Sequence, residues 1–280
     1  MLRYIYLILS FFILLGFSCD EIPPTLNPNG GNEGMDVPVE DQTRQVLIEE
    51  FTGVGCVNCP AGSQAIEALL GIHGHNLVAV SIHAGFFAQP YPESQEDLAT
   101  DKGNSIQSLL GEPLGYPTAV INRIQFDGES SRQTGQGTWA GYIAQEQLSA
   151  PKIKIDLQPT YNETTRELTV DIDLYVEENI TEEDVRLSLY LTESNIIDVQ
   201  LTPAGIQNDY VHKHVFRDAI SAASGDLLAE SFTAGSVISR SYTYTLDSAW
   251  VASECHIVGF VHLGGSTLNV IQAHEVAVVE

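Results

Sequence analysis

Positive charge is scarce in this chain: 12 Lys and Arg residues stand against 37 Asp and Glu, a net charge of -25 over 280 residues. So acidic a chain has little with which to neutralise phosphates or to adhere electrostatically to anionic lipid, which excludes nucleic acid as a partner. Cysteine is also scarce. Of Cys19, Cys56, Cys59 and Cys255, only Cys56 and Cys59 are close in sequence. A closed zinc site built on that pair needs two further ligands, and His212-Lys213-His214 is the only paired candidate. Long apolar runs are missing too, since the stretch from Tyr4 to Leu15 is too short to span a bilayer as a permanent helix. What is present is ordinary for a folded protein. A hydrophobic share of 44% supports substantial cores, and the length suggests two domains of roughly 110 to 130 residues each.

The apolar run follows Met1-Leu2-Arg3 and ends in Gly16-Phe17-Ser18-Cys19. It reads as a signal peptide over residues 1–18. A cysteine directly after small Ser18, with leucines upstream, resembles the lipobox of bacterial lipoproteins, which implies cleavage before Cys19 and acylation of that residue, palmitate included. Residues 19–43 are acidic, proline-bearing and glycine-rich, and cannot bury enough apolar area to offset their ordering entropy; they read as a flexible tether. The Asp20-Glu21 pair resembles the surface-export signals of Bacteroidota lipoproteins, or is simply a polar start to the tether.

From Arg44 the pattern changes. Gln45-Val46-Leu47-Ile48-Glu49-Glu50-Phe51 is a buried strand feeding the turn Thr52-Gly53-Val54-Gly55. Ala61, Ala65, Ala68 and Leu69 then recur at helical spacing until Gly71, so Cys56-Val57-Asn58-Cys59 lies at a helix N-terminus. There the unpaired N–H groups and the positive end of the helix dipole stabilise a thiolate. Two intervening residues bring both sulfurs within disulfide distance, and Pro60 is tolerated in the first turn. Cys56 is then the nucleophile and Cys59 the resolving thiol. The same spacing is also half of a zinc site.

Three further features bear on that choice. Asn76 to His83 is a second β run completing a β-α-β unit, Leu114-Gly115-Tyr116-Pro117-Thr118 sets a proline between a glycine turn and another strand, and Glu50 stands six residues before Cys56. With the cysteine pair, these resemble the thioredoxin-like family from about Arg44 to Ala150. The resemblance implies a cis-proline loop at Pro117 that holds a substrate strand, and a buried acid, Glu50, that shuttles protons to the resolving thiol. Two departures stand out: Gly55 replaces the usual aromatic residue before the first cysteine, and Ala84 to Gly111 is longer than a simple thioredoxin needs. Sites in α/β sheets gather at the carboxyl ends of the strands. His83, Phe86, Phe87, Tyr91 and Tyr116 are therefore expected along a substrate groove; otherwise Phe86 and Phe87 cover the core and His83 makes a structural hydrogen bond. A short strand through Asn122 to Phe126 and a helix through Trp139 to Leu148 are expected to close this α/β domain, residues 44–150.

From Pro151 the hydrophobic period switches to two, as in Ile153, Ile155 and Leu157, or Leu168, Val170, Ile172 and Leu174. Residues 151–280 are therefore expected to form an all-β antiparallel sandwich of immunoglobulin-like type, interrupted by a short helix over Val215 to Ala223. Cys255 reads as a buried filler. His212 and His214, if on one strand, share a face that suits a metal or a contact between domains. The order of lipoprotein signal, E-x-F-T-G-x-x-C-x-N-C-P, G-Y-P-T loop, V-H-x-H-V-x-R and a last strand with Val270-Ile271-Gln272-Ala273 is similar to the Bacteroidota family named after a 28-kDa outer membrane protein. That implies outer-membrane attachment through a lipid anchor, at the periplasmic or cell-surface face.

The reading favoured by the residues is a thiol-disulfide oxidoreductase that needs no cofactor and acts on exported cysteine-containing proteins or on an unidentified redox partner. Its rival is a surface binding or adhesion lipoprotein in which Cys56-Cys59 is a structural disulfide. A metal-binding role using the cysteines with histidines is the third.

Overall fold

β1 (Val46–Thr52) is buried along its whole length, as a strand covered on both faces must be. In the computed structural model, which describes residues 38–279, it is followed by α1 (Cys59–His73), β2 (Leu77–His83), α2 (Asp101–Leu110), β3 (Thr118–Ile121), β4 (Thr134–Gly135) and α3 (Trp139–Glu146). β1 pairs with β2 in parallel and with β3 antiparallel. Alternation along β1 sends Val46 and Ile48 toward α1 and α3, where they meet Ile66, Leu69, Trp139 and Ile143. Leu47 and Phe51 point the other way, into a core shared with Ile106 and Leu110 of α2.

The later residues are almost entirely strand: β5 (Ile153–Asn162), β6 (Glu167–Val176), β7 (Val185–Glu193), β8 (Ile196–Thr202), β9 (Gly205–His212), β10 (Val215–Ala219), β11 (Asp226–Leu228), β12 (Val237–Thr245), β13 (Cys255–Leu263) and β14 (Val270–Ala277). β12, β6 and β5 form a three-stranded antiparallel sheet. It packs on β7, β13 and β14 through Ile155, Ile172, Leu189, Ile257 and their neighbours. β8 and β9 make a separate two-stranded hairpin.

One mixed, nine-stranded sheet runs through both halves of the chain in the order β14-β13-β7-β10-β2-β1-β3-β4, with β11 on β7. The join is narrow: Val215 of β10 bridges to Ser81 of β2, whose N–H donates to the His214 carbonyl at 2.7 Å. The expected boundary at residue 150 lies between α3 and β5, and this sheet passes across it. The core does likewise, for Tyr190, Phe216, Val258 and Phe260 share one cluster with Leu47, Phe51 and Val80.

Two local expectations give way. Val215 to Ala219 is a strand rather than the start of a helix, because β7 and β2 offer its backbone partners on both sides. Nor does β3 continue through 122–126. Asn122 and Arg123 adopt φ of 45° and 55°, a turn that carries Arg123 into the interior. There the guanidinium meets Glu49 at 2.8 and 2.7 Å, donates to the Tyr190 hydroxyl at 2.8 Å and lies 4.7 Å over the Phe260 ring. Arg123, Glu49, Tyr190 and Phe260 are all fully buried. The signal peptide, Cys19 and most of the tether fall outside the described residues. The last tether residues do join the fold, since Gln42 exchanges hydrogen bonds with the Ile155 backbone at 2.6 and 3.0 Å.

Removing one partner of a buried ion pair strands the other charge. Arg123→Met is therefore expected to lose about 3–5 kcal/mol in urea unfolding, and the double variant Arg123→Met with Glu49→Leu to recover most of it. A single variant as stable as the wild type would show that the pair holds nothing together.

Candidate functional site

Cys59 is the first residue of α1, and Cys56 lies in the turn before it, its carbonyl accepting the Cys59 N–H at 3.2 Å. The two are joined in a disulfide with Cα atoms 5.4 Å apart. The Tyr116–Pro117 peptide is cis. Pro117 packs against the first turn of α1 at Gly62, where a Cβ would stand 2.6 Å from Pro117 Cβ and 2.6 Å from Glu50 Oε1. Only glycine permits so close an approach of helix, loop and strand. Cys59, Gly62, Glu50 and Pro117 are thus gathered at one place by β1, α1 and the loop before β3.

Glu50 follows Glu49 on β1 and faces the opposite side of the sheet. Both are wholly buried, but among the described residues Glu50 meets no cation. Its Oε2 accepts from the Ser81 hydroxyl at 3.1 Å, and its Oε1 has no hydrogen-bond partner. Burial pushes its pKa from the usual 4.5 up to about 8, against the pull of the Ser81 hydrogen bond. At neutral pH this side chain is mainly a carboxylic acid placed under the helix turn that carries the cysteines.

The disulfide is covered: Cys56 is 3% exposed and Cys59 1%. Part of that cover is the β8–β9 hairpin. Leu201 N–H donates to the Val54 carbonyl at 2.8 Å, and the Gln200 amide donates to the carbonyls of Cys56 at 3.1 Å and Gly53 at 3.4 Å. Asp198 beside them is buried and accepts the N–H groups of Gln95 and Glu96, which ties the hairpin to the 84–111 segment. That segment also reaches the cysteine loop directly: Gly55 N–H donates to the Phe87 carbonyl at 2.9 Å, and a Cβ on Gly53 would stand 2.4 Å from Phe87 backbone. A Cβ at Gly55 would stand 3.2 Å from the Phe87 carbonyl oxygen and 3.8 Å from the Tyr91 ring, so the usual aromatic side chain there would meet this segment.

Phe86, Phe87 and Tyr116 come together as expected. The Phe86 and Phe87 rings lie 5.3 Å apart, as do those of Phe87 and Tyr116, and Phe86 is largely exposed. His83 does not join them. It is buried with both ring nitrogens lacking hydrogen-bond partners, and its ring meets His212 edge-on at 5.4 Å. Burial, then His212 and Arg217, hold its pKa well below 6.5, so it is neutral. His212 and His214 are not on one strand face. His212 ends β9 and reaches the Val199 carbonyl at 3.2 Å, whereas His214 sits at φ 53° in the following turn and contacts Glu67 Oε1 at 3.0 Å. Among the described residues no group of three His, Cys, Asp or Glu side chains is placed to hold a metal. Cys255 is buried on β13, and burial pushes its thiol up to about 12.

Sequence reasoning passed over Gly62, Ser81, Gln200 and Arg123. Arg123 had a detectable signal: an acidic pair inside an otherwise apolar strand requires a cation or a raised pKa. Gln200 had none, since its partners lie far from it in sequence.

Comparison with solved structures finds HBP35 of Porphyromonas gingivalis at a TM-score of 0.67 and 18% identity, covering 84% of this chain and 75% of that one. It also finds protein AGR_C_4864 of Agrobacterium tumefaciens at a TM-score of 0.52 and 14% identity, covering 85% and 96%. At these identities the likeness is one of fold. A comparison with curated proteins finds no match. The family model for outer membrane protein Omp28 matches residues 112–280, more than half of the chain, and the chain belongs to that outer membrane protein family.

Proposed function

We propose that this outer membrane protein carries out thiol-disulfide exchange on exported cysteine-containing proteins, from a thioredoxin-like first half held to the membrane by a lipid on Cys19. The observation that carries the proposal is the uncompensated Glu50 carboxyl, buried under the first turn of the helix that bears the Cys56–Cys59 disulfide. A fold has no structural use for such a group, whose charge is costly and unpaired. A proton acceptor beside a resolving thiol is a use. In this reading Cys56 attacks, Cys59 resolves, Glu50 takes the proton, and the loop at Pro117 holds the substrate strand beside Tyr116, Phe86 and Phe87. The β-rich second half, read as an immunoglobulin-like sandwich, supplies the β8–β9 cover and a surface for docking.

A second reading has its own support. The burial of both cysteines favours a structural disulfide in a surface binding protein, because a partner thiol must first reach Cys56. Assays of insulin-disulfide reduction with dithiothreitol divide the two. Exchange predicts acceleration by the wild type and none by Cys56→Ser. No acceleration, with a reduction potential below about -300 mV, would establish the structural role.

The cover makes a further prediction. Gln200→Ala removes the amide that bonds to the Gly53 and Cys56 carbonyls, and it is expected to speed trapping of Cys56 by iodoacetamide in the presence of dithiothreitol. An unchanged rate would mean that the hairpin does not limit access.

The carboxyl makes another. The folded-state pKa of Glu50 lies above the unfolded value, so the folded chain holds an extra proton between pH 4.5 and about 8. Stability from this group is complete below that window and is lost as pH rises through it, by about 1.4 kcal/mol per pH unit at most. Glu50→Gln is expected to flatten that decline in urea unfolding and to be more stable than the wild type at pH 9. A wild-type decline that persists in the variant would assign it to other groups.

A further inference from the structure

Between the first two turns of α1 and the end of β9 lies a pocket of about 300 Å³, lined among others by Pro60, Ser63, Glu67, Ser81, Tyr210 and His214. That volume is ample for several water molecules. Ser81 forms part of its wall, and the same hydroxyl donates to Glu50 Oε2 at 3.1 Å. Among the described residues it is the hydrogen-bond partner Glu50 has, and it therefore joins the carboxyl to the pocket wall. A hydroxyl both donates and accepts, so it can turn from one to the other.

Resting on the exchange reading, we propose that Ser81 is the positioning residue that passes the Glu50 proton to water in this pocket. In the resolving step the Cys59 thiol gives its proton to Glu50 in its ionised form, the smaller fraction at neutral pH. The Cys59 thiolate attacks the Cys56 sulfur, the Cys56–Cys59 bond forms, and the bond from Cys56 to the substrate sulfur breaks. The substrate leaves as a thiolate, reduced by the electrons that the two protein thiols give up. The Glu50 proton then moves to the Ser81 oxygen as the Ser81 proton moves to pocket water, which restores the carboxylate. Such a path sets how fast the carboxyl exchanges its proton and regenerates its ionised fraction, because Gly62 and Pro117 close its other side.

The remaining ionisable groups around the pocket do not compete for this proton. On α1, Glu67 is held by Lys213 and His214 from the turn after β9. Burial works to raise its pKa, but those hydrogen bonds and charges bring it down to about 2, so it stays ionised. Tyr210 of β9 has a raised pKa, burial being the main cause, and stays a neutral phenol. His83, on the same face of β2 as Ser81, is neutral.

Infrared spectroscopy of the full-length protein tests this without requiring turnover. The wild type at pH 6 should show a carboxylic-acid band that is absent in Glu50→Gln and that shifts on transfer to D2O. In Ser81→Ala that shift should slow at least about tenfold, and Ser81→Thr, which keeps the hydroxyl, should restore it. Should Ser81→Ala fail to fold, Ser63→Leu, which fills the pocket and leaves Ser81 in place, is expected to slow the shift likewise. A deuterium shift as fast in the variant as in the wild type would overturn the path, and so would the absence of the band. If the path is confirmed while wild-type protein fails to reduce insulin, the exchange reading falls and the proton path stands. If insulin is reduced while Ser81→Ala exchanges normally, the reverse holds.

Discussion

A guanidinium and a carboxylate, both removed entirely from water, hold each other at 2.7 and 2.8 Å between the two halves of this chain. Arg123 arrives from the turn after β3 and Glu49 from β1, while Tyr190 of β7 and Phe260 of β13 close around them. A buried pair of this kind adds little net stability over an apolar filling. What it contributes is position, since a bidentate fork fixes distance and angle together. Asn122 extends the arrangement: its side chain accepts the Leu47 N–H at 2.9 Å and its carbonyl accepts the Val270 N–H at 2.8 Å. The narrow bridge from β10 to β2 is thereby backed by contacts from β7 and β13 to the residue that pairs with β1.

The two adjacent glutamates lie in different surroundings. Glu49 spends its charge on Arg123 and has no part in the cysteine site. Glu50, one residue on and facing the other way, is left without a cation under α1. Strand alternation is what permits this, because neighbouring side chains enter different cores and feel different fields. The β-rich half also reaches into the site, through Gln200 over Cys56 and Tyr210 beside the pocket. The disulfide, the buried Glu50 carboxyl and the cover over Cys56 therefore come from parts of the chain far apart in sequence.

How legible this was depended on the range of the interactions. The cysteine pair at a helix start, the proline before β3 and the acid before the turn are short-range patterns, and each residue stands where its local spacing put it. The strands β5, β6 and β7 announced themselves by period two. The 122–126 segment departs from the expected strand because the pull on Arg123 comes from Glu49, 74 residues away. Val215 to Ala219 departs from the expected helix for a like reason: the partners that make it a strand lie on β7 and β2. The two histidines of the V-H-x-H-V motif were placed on one face by assuming an unbroken strand, and the positive φ at His214 breaks it. The cover over Cys56, the Glu49–Arg123 ion pair and the Ser81–Glu50 hydrogen bond are tertiary contacts with no local signature.

The sheet that crosses residue 150 bears on how such a protein can be inherited and made. A chain cut there would keep Glu49 and Arg123 but lose the hydroxyl and the ring that enclose them, and β2 would present an open edge to any passing strand. Each half would lose part of a core cluster that the two share. During export the first half must also wait, incompletely closed, until β7, β10 and β13 have been delivered. The amide that covers Cys56 comes from Gln200 of β8, and it too arrives only with the second half of the chain.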